Sequence, residues 1–115
     1  MSERVLQVAV IKAVSKILPD FPALALLHHI PNGELRDGKT ALRLRRMGVL
    51  KGIPDLNLPV ARKGYTGLWM ELKIPSGVIA PYQVAVQGML RKEGHKVLTI
   101  RSVDEAIEAL KEYLS

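Results

Sequence analysis

Two carboxylates and an ammonium group in the middle of the chain have the types and spacing of a metal-dependent phosphodiesterase site. Asp55 ends the segment Gly-Ile-Pro-Asp, and the triplet Glu71-Leu72-Lys73 ends an apolar run. Alternate residues of a β-strand share a face, so Glu71 and Lys73 point the same way while Leu72 points into the core. A neighbouring strand that begins at Asp55 would bring a second carboxylate beside Glu71.

The proposed pair of carboxylates predicts a bound cation. Two adjacent carboxylates repel each other at neutral pH unless a positive charge bridges them. Hard oxygen ligands favour Mg²⁺ or Mn²⁺, so the motif predicts a site for one of these ions. The alternative is a solvated hairpin face on which Glu71 and Lys73 form an ordinary salt bridge.

Between these groups, the sequence predicts a β-hairpin. Apolar and polar residues alternate over residues 56–61, and a basic turn that contains Gly64 interrupts the pattern before apolar residues resume over residues 68–72. Two such runs on either side of a glycine-containing turn are typical of antiparallel strands. This hairpin would bring Asp55 beside Glu71.

Helical periodicity, capping residues and turn residues place the other elements around the hairpin. We expect helices over residues 2–18, 39–47, 81–93 and 102–114 and strands over residues 23–30 and 96–100. Ser2 and Ser102 suit the N-caps of the first and last helices. The helix over residues 81–93 is expected to bury one face, made of Tyr82, Val86, Met89 and Leu90. The resulting order is α, β, short α, β, β, α, β, α.

The order of these motifs resembles the PD-(D/E)xK nuclease superfamily and, within it, the VRR-NUC family. Gly-Ile-Pro-Asp, Glu-Leu-Lys and a helix with Gln83 follow one another as in that family, and most of the chain takes part, up to the turn at Gly94. The resemblance implies an α/β fold with a restriction-endonuclease-like core, a small mixed sheet flanked by helices, in one domain over residues 1–115. The family often has Ser where this chain has Ala80, a poor N-cap, which leaves the start of the Gln83 helix open.

The resemblance implies a metal site made by Asp55 and Glu71, with the main-chain carbonyl of Leu72 as the usual further ligand. An acidic residue of the first helix often joins this site directly or through water, and Glu3 is the matching position. A carboxylate in the first turn of a helix is also favoured by the helix macrodipole, which gives Glu3 a structural alternative. The implied cofactor is Mg²⁺ or Mn²⁺.

The implied catalytic set is Asp55, Glu71, Lys73 and Gln83. Lys73 would stabilise charge beside the attacking water or the scissile phosphate, and its alternative is a plain ion pair with a carboxylate. Gln83 would orient the water or Lys73, and its alternative is an exposed helix amide. The implied reaction is hydrolysis of a phosphodiester bond by an in-line water.

The charge balance indicates a polyanionic partner. The chain has 17 Lys and Arg against 11 Asp and Glu, a net charge of +6 and a pI near 9.8. The densest basic stretch directly precedes Gly52, and arginine suits phosphate contacts. The residues expected to contact DNA are Asn32, Arg43, Arg45, Arg46 and Lys51. With one Trp, three Tyr and one Phe, aromatic residues are too few and scattered for a base-stacking platform, so recognition of shape or backbone is expected.

Composition also limits the compartment and the assembly. No cysteine is present, which removes disulfide frameworks, thiolate metal sites and thiol nucleophiles. The sequence has neither a signal-peptide pattern nor an apolar stretch of membrane-spanning length, so a cytoplasmic protein is expected. Short members of the family are typical of viruses and mobile elements and are expected to be homodimers. Two sites in fixed relation suit a branched DNA substrate such as a four-way junction or a flap, and the alternative is plain nicking of duplex DNA.

Two other function classes remain open on the sequence. A nucleic-acid-binding module could keep this fold without turnover, although an inactivated site usually loses one of Asp55, Glu71 and Lys73. A small basic structural protein could use Glu71 and Lys73 as surface charges. Dependence on metal ions separates these hypotheses from the nuclease.

Overall fold

The computed structural model describes residues 1–31 and 38–115. Its central element is a mixed four-stranded sheet. Its strands are β1 (His28–His29), β2 (Leu56–Leu58), β3 (Leu68–Leu72) and β4 (Lys96–Ile100), which neighbour one another in that order. The pairs β1–β2 and β2–β3 are antiparallel, whereas β3 and β4 are parallel. The predicted hairpin is therefore confirmed as β2 and β3.

Helices lie on both faces of the sheet. They are α1 (Glu3–Ile17), α2 (Gly38–Arg46), α3 (Pro81–Lys92) and α4 (Val103–Leu114), and a short 3₁₀ helix spans Pro22–Leu26. The predicted ends of the four α-helices are confirmed to within one residue. Ser2 Oγ accepts a hydrogen bond from the Val5 N–H, and Ser102 Oγ accepts one from the Glu105 N–H, both at 3.1 Å. Over the described ranges, no helix has the length and apolarity needed to cross a membrane.

The apolar core lies on the face of the sheet that α1 and α4 cover. Strand periodicity directs Leu68, Met70 and Leu72 of β3 to this face, where each is about 1% exposed. The two helices contribute Leu6, Val10, Val14, Ala106, Leu110 and Tyr113. The Tyr113 hydroxyl donates a hydrogen bond to the main-chain oxygen of Val60 at 2.6 Å, which ties α4 to the hairpin.

The two edges of the sheet are short or partly covered. β1 has two residues, both exposed, and Pro31 lies two positions after it. β4 pairs with β3 through its even-numbered residues, so the main chain of Val97 faces outward. Arg91 Nη2 donates a hydrogen bond to the Val97 oxygen at 3.0 Å and so covers part of the outer edge.

The predicted buried strand over residues 23–30 is wrong. Pro22–Leu26 forms the 3₁₀ helix, in which Leu24 is the buried residue, and the strand is limited to His28–His29. Pro22 has a φ suited to a first helical turn, and the Ala and Leu residues that follow are strong helix formers. These local preferences outweigh the apolar run on which the strand was predicted.

The predicted buried face of α3 is wrong for two of its residues. Tyr82 is 45% exposed and Met89 is 69% exposed, whereas Gln87 is only 4% exposed. The side of the helix that faces the sheet is the one with Gln83 and Gln87, which are one turn apart. On this side Gln83 bonds to Glu71 of the strand beneath it, as described below, whereas Gln87 Nε2 is buried without a hydrogen-bond partner among the described residues.

Candidate active site

The hairpin sets Asp55 and Glu71 side by side. Leu56 pairs with Met70 in the antiparallel register, so the next pair along the strands is Asp55 and Glu71. Directly opposite residues of antiparallel strands have Cβ atoms about 4.5–5.5 Å apart, with both side chains on one face. Asp55 Oδ2 also accepts a hydrogen bond from the Leu72 N–H at 2.7 Å. The two carboxylates predicted from the sequence are thus brought together.

The main chain of Asp55 is held from the other side by β1. The Asp55 carbonyl accepts hydrogen bonds from the Ile30 N–H and from His29 Nδ1, each at 2.9 Å. Pro54, just before it, is almost fully buried. Since its side chain is bonded to β3 and its carbonyl to β1, Asp55 has a fixed position between the two strands.

Gly52 allows the segment before Asp55 to approach α3. Its φ is +94°, a conformation that favours glycine, and a Cβ at this position would lie 3.0 Å from Tyr82 Cδ2 and from the Tyr82 carbonyl oxygen. It would also lie 3.2 Å from Val86 Cγ2. The glycine of Gly-Ile-Pro-Asp is therefore required both by its backbone and by its contact with α3.

Gln83 connects Glu71 to the start of α3. Gln83 Nε2 donates a hydrogen bond to Glu71 Oε1 at 3.1 Å, and Gln83 Oε1 accepts one from the Ala80 N–H at 2.9 Å. Because a main-chain N–H can only donate, the second bond fixes which end of the amide faces Glu71. α3 starts at Pro81 although Ala80 lacks a capping oxygen, and the Gln83 side chain supplies the reciprocal half of a capping box.

The environment of Glu71 favours its protonated form. The side chain is 3% exposed. Burial, together with the hydrogen bond and the charge of the neighbouring Asp55, raises the pKa of Glu71 to about 9, and Lys73 opposes the shift. At neutral pH and without a metal ion, Glu71 therefore keeps its proton. A dication is the chemical replacement for that proton, since it would allow both carboxylates to ionise.

The oxygen ligands at this site suit a hard cation, but the side chains alone are too few to surround one. Among residues 1–31 and 38–115, no group of three or more His, Asp and Glu side chains stands at metal-binding spacing. The N–H and C=O of one strand residue point to the same side, so the Leu72 carbonyl faces the side on which its N–H meets Asp55. Oxygen ligands of this kind fit Mg²⁺ or Mn²⁺.

Glu3 lies at the margin of this group. It is exposed in the first turn of α1 and near enough to Glu71 for its charge to raise the pKa of that carboxyl. The two readings of Glu3, metal ligand and helix-dipole partner, are both compatible with this position. Its role as a ligand stays a prediction.

Lys73 has a mostly buried side chain next to the two carboxylates. It is 8% exposed, and its ammonium group makes no hydrogen bond or ion pair with a residue in the described part of the chain, whereas its main-chain N–H donates to the Ile100 carbonyl at 3.0 Å. The loop after it packs on its stem, because a Cβ on Gly77 would lie 3.4 Å from Lys73 Cδ. Its positive charge acts on Glu71 across space and lowers the pKa of that carboxyl. This differs from the plain ion pair that was the alternative for Lys73.

The residues expected to bind DNA are exposed where the structure describes them. Arg43, Arg45 and Arg46 form the last turn of α2 and are open to solvent. Lys51 is also exposed, and its Nζ lies 4.4 Å from the centroid of the Tyr82 ring. Asn32 lies outside the described residues.

One positioning residue, Arg101, was missed from the sequence. Its Nη1 donates hydrogen bonds to three main-chain oxygens in the loop after Lys73: Ile74 at 3.0 Å, Pro75 at 3.4 Å and Gly77 at 2.8 Å. This loop joins the predicted catalytic residues Lys73 and Gln83. An arginine after a strand has the pattern of an ordinary surface charge, so nothing in the sequence distinguished it.

Comparison with known proteins agrees with this architecture. A solved structure described as "VRR_NUC domain protein" superposes with a TM-score of 0.81 and is 28% identical in sequence, over 99% of this chain and 88% of that chain. No protein-family model and no curated protein matches the sequence. The structural likeness confirms the predicted α/β fold, a small mixed sheet flanked by helices, and it supports a nuclease-type function. Together with the order of the motifs, it supports the assignment of this chain to the VRR-NUC family of nucleases.

Proposed function

We propose that this chain is a Mg²⁺- or Mn²⁺-dependent endodeoxyribonuclease that acts on structured or branched DNA, such as four-way junctions or flaps. The observation that carries the proposal is the pair of Asp55 and buried Glu71, set opposite each other on adjoining strands beside the buried side chain of Lys73. Burial of Glu71 and Lys73 beside a third ionisable group, Asp55, opposes folding, because a buried group must give up contact with water. Such a cost is typical of a catalytic site.

Asp55, Glu71 and the Leu72 carbonyl would hold the metal ion, with Glu3 as a further ligand directly or through water. When bound, the ion would supply charge stabilisation at the phosphoryl oxygen and lower the pKa of a water molecule. Hydrogen bonds within the protein hold the two carboxylate ligands of this metal site in place. Asp55 is held by the Leu72 N–H, and Glu71 is held by the Gln83 amide.

Lys73 would stabilise the negative charge that develops on the phosphate during attack. An ammonium group in a water-excluded site acts more strongly on nearby charge than it would in solvent. The Lys73 side chain is mostly buried, and its ammonium group has no ion-pair partner among the described residues, so its charge is available to the phosphate. Gln83 would act mainly by keeping Glu71 in place, because its amide oxygen is already bonded to Ala80.

Binding of DNA would rest on the positive charge of the chain. The net charge of +6 and the exposed arginines of α2 favour contacts with phosphates, which position a DNA backbone without reading its sequence. A homodimer would place two such sites in fixed relation and so suit a branched substrate.

Cleavage of labelled DNA tests the proposal. A four-way junction, a flap, a linear duplex and a single strand would be incubated with Mg²⁺, Mn²⁺ or a chelator. We expect the wild type to cut with either metal ion, and Glu71→Gln to lose at least a hundredfold in rate because one metal ligand is neutralised. Glu108→Gln is the matched control, since Glu108 is exposed on α4, and it should cut like the wild type.

The other outcomes separate the alternatives. Tight, salt-sensitive binding by the wild type without any cleavage would identify a nucleic-acid-binding module. Indifference to metal ions in binding, in cleavage and in thermal unfolding would favour a basic structural protein. Equal cleavage by the wild type and Glu71→Gln would contradict the proposed site itself.

A further inference from the structure

An exposed aromatic ring lies at the rim of the candidate site. Tyr82 is 45% exposed, and the next residue is Gln83, whose amide bonds to Glu71. Consecutive Cα atoms are about 3.8 Å apart, so the main chain of Tyr82 is within one residue of the group that holds Glu71. The ring was expected in the core, but the structure leaves nearly half of the residue open to solvent.

The position of this ring is fixed by the segment that leads to Asp55. A Cβ on Gly52 would lie 3.0 Å from Tyr82 Cδ2, so the edge of the ring rests on the Gly52 backbone. Lys51 Nζ stands 4.4 Å from the ring centroid, within the range of a cation–π contact. Gly52 is three residues before Asp55. Tyr82 and Lys51 therefore connect the two segments that supply Asp55 and Gln83.

The exposed part of Tyr82 has the chemistry of a stacking surface. Its hydroxyl makes no hydrogen bond with any residue in ranges 1–31 and 38–115, so no such bond within these ranges ties the exposed end of the ring to the protein. Nucleobases stack on aromatic rings, and a neighbouring cation attracts the phosphate that follows the base. The bases of an intact duplex already stack on one another, so an aromatic surface beside the backbone is accessible mainly to an unpaired base.

We propose that Tyr82 and Lys51 form a platform for one unpaired nucleobase of the substrate, next to the scissile phosphate. The proposal rests on the proposed nuclease function and specifies the substrate further, as DNA with an unpaired base at the cut. This is one stacking position for one base. The chain has too few aromatic residues for an extended platform that stacks several bases. The single position would favour flaps and opened junctions over continuous duplex.

The molecule contains a matched control for this pair. Tyr65 is 39% exposed, and Lys96 Nζ lies 5.4 Å from its ring centroid. Tyr65 belongs to the turn of the β2–β3 hairpin, at the opposite end of these strands from Asp55 and Glu71, and its ring packs against Tyr113. A general effect of removing an exposed tyrosine beside a lysine would therefore be the same at both positions.

The test is a binding titration on flap DNA in which a single abasic site is moved through the nucleotides around the junction. Binding would be followed by fluorescence anisotropy with Mg²⁺, in proteins that all carry Glu71→Gln so that the DNA stays intact. The variants compared are Tyr82→Leu, Tyr82→Phe and Tyr65→Leu. The wild type's cleavage position on the same flap would be mapped separately.

We expect the protein with Tyr82 to lose about tenfold in affinity when the abasic site is within two nucleotides of the mapped cut, as for the loss of one stacked base. Tyr82→Leu should bind the intact flap about tenfold more weakly and show no further loss at that abasic position. Tyr82→Phe should restore the response to the abasic site, and Tyr65→Leu should leave it unchanged.

A purely structural role for Tyr82 would give a different result. Tyr82→Leu would then weaken binding equally for intact and abasic flaps, or it would not weaken binding at all, and either outcome overturns the proposal. The abasic scan with Tyr82 present can be read even if Tyr82→Leu fails to fold. If the affinity in that scan is the same at every abasic position, the proposal is also overturned. Failure of the wild type to cut would count against the proposed function. The abasic scan would still test stacking, because an affinity loss at one abasic position that Tyr82→Leu abolishes supports it without a mapped cut, and its absence at every position overturns it.

Discussion

One face of β3 presents Leu68, Met70 and Leu72 to the apolar core, and the opposite face presents Trp69 and Glu71. Met70 and Glu71 are similarly buried, at 1% and 3% exposed. Burial of a large apolar side chain stabilises the fold by about 1.5–3 kcal/mol, whereas burial of a carboxyl group opposes folding unless a proton or a cation compensates it. The core face of β3 therefore stabilises the fold, whereas burial of Glu71 on the opposite face is better explained by a catalytic role.

The largest expected effect is on the core face. Met70→Ala should lower the free energy of unfolding by about 2–5 kcal/mol, because it removes apolar contacts and leaves a cavity. Met89→Ala is the matched control, since Met89 is 69% exposed, and it should change stability by less than about 0.5 kcal/mol. Urea unfolding of the two variants measures both values. Equal losses would contradict the assignment of the core to this face.

On the opposite face, Lys73→Met should affect activity instead of stability. Loss of a group that stabilises charge in the transition state is expected to lower the cleavage rate about 10²- to 10³-fold, or about 2.7–4 kcal/mol. The free energy of unfolding should change little, because Met keeps the apolar stem of the lysine and the ammonium group makes no ion pair in the described ranges. Lys111→Met, at an exposed position of α4, should change neither quantity. Large destabilisation by Lys73→Met would instead indicate a structural lysine.

A smaller effect is expected in the pH dependence of stability. The pKa of Glu71 is raised from 4.5 in the reference state to about 9 in the folded protein. The folded state thus holds a proton that the unfolded state has released between these values, so stability from this group is complete below pH 4.5 and falls as the pH rises towards 9. From pH 5 to 8, metal-free wild type should lose about 1–3 kcal/mol relative to Glu71→Gln.

Urea unfolding in chelator at several pH values measures this slope. Glu108→Gln should keep the slope of the wild type, because Glu108 is exposed. Addition of Mg²⁺ at pH 8 should stabilise the wild type more than Glu71→Gln, since an ion that binds only the folded state shifts unfolding by mass action. Identical slopes for the wild type and Glu71→Gln would show that Glu71 is ionised in the folded protein.

The parts of the fold that could be predicted depend on local signals. The alternation around the Gly64 turn indicated β2 and β3, and the shared face of Glu71 and Lys73 followed from strand geometry alone. The caps at Ser2 and Ser102 depend on residues three positions away in the sequence. In each case the pattern and the contact lie within one element or one turn.

The parts that could not be predicted depend on contacts between distant residues. Arg101 bonds to a loop 24 to 27 residues earlier, and a bond from a side chain to a main-chain oxygen leaves no pattern in the sequence. The exposure of Tyr82 has a similar cause. Helical spacing groups residues into faces, but the bond from Gln83 to the distant Glu71 favours the face that turns inwards, and Gln87, one turn later, is buried with it.

Because Arg91 bonds to the outward-facing oxygen of Val97, one edge of the sheet is partly closed to a further strand. β1, at the other edge, has only two residues. Sheets with long open edges are prone to strand-to-strand aggregation, and short or covered edges oppose it. Assembly of two copies into one continuous sheet is correspondingly disfavoured along β4. A homodimer of this chain would therefore be held by helices or loops, and its interface would be sensitive to surface substitutions there and insensitive to changes in β4.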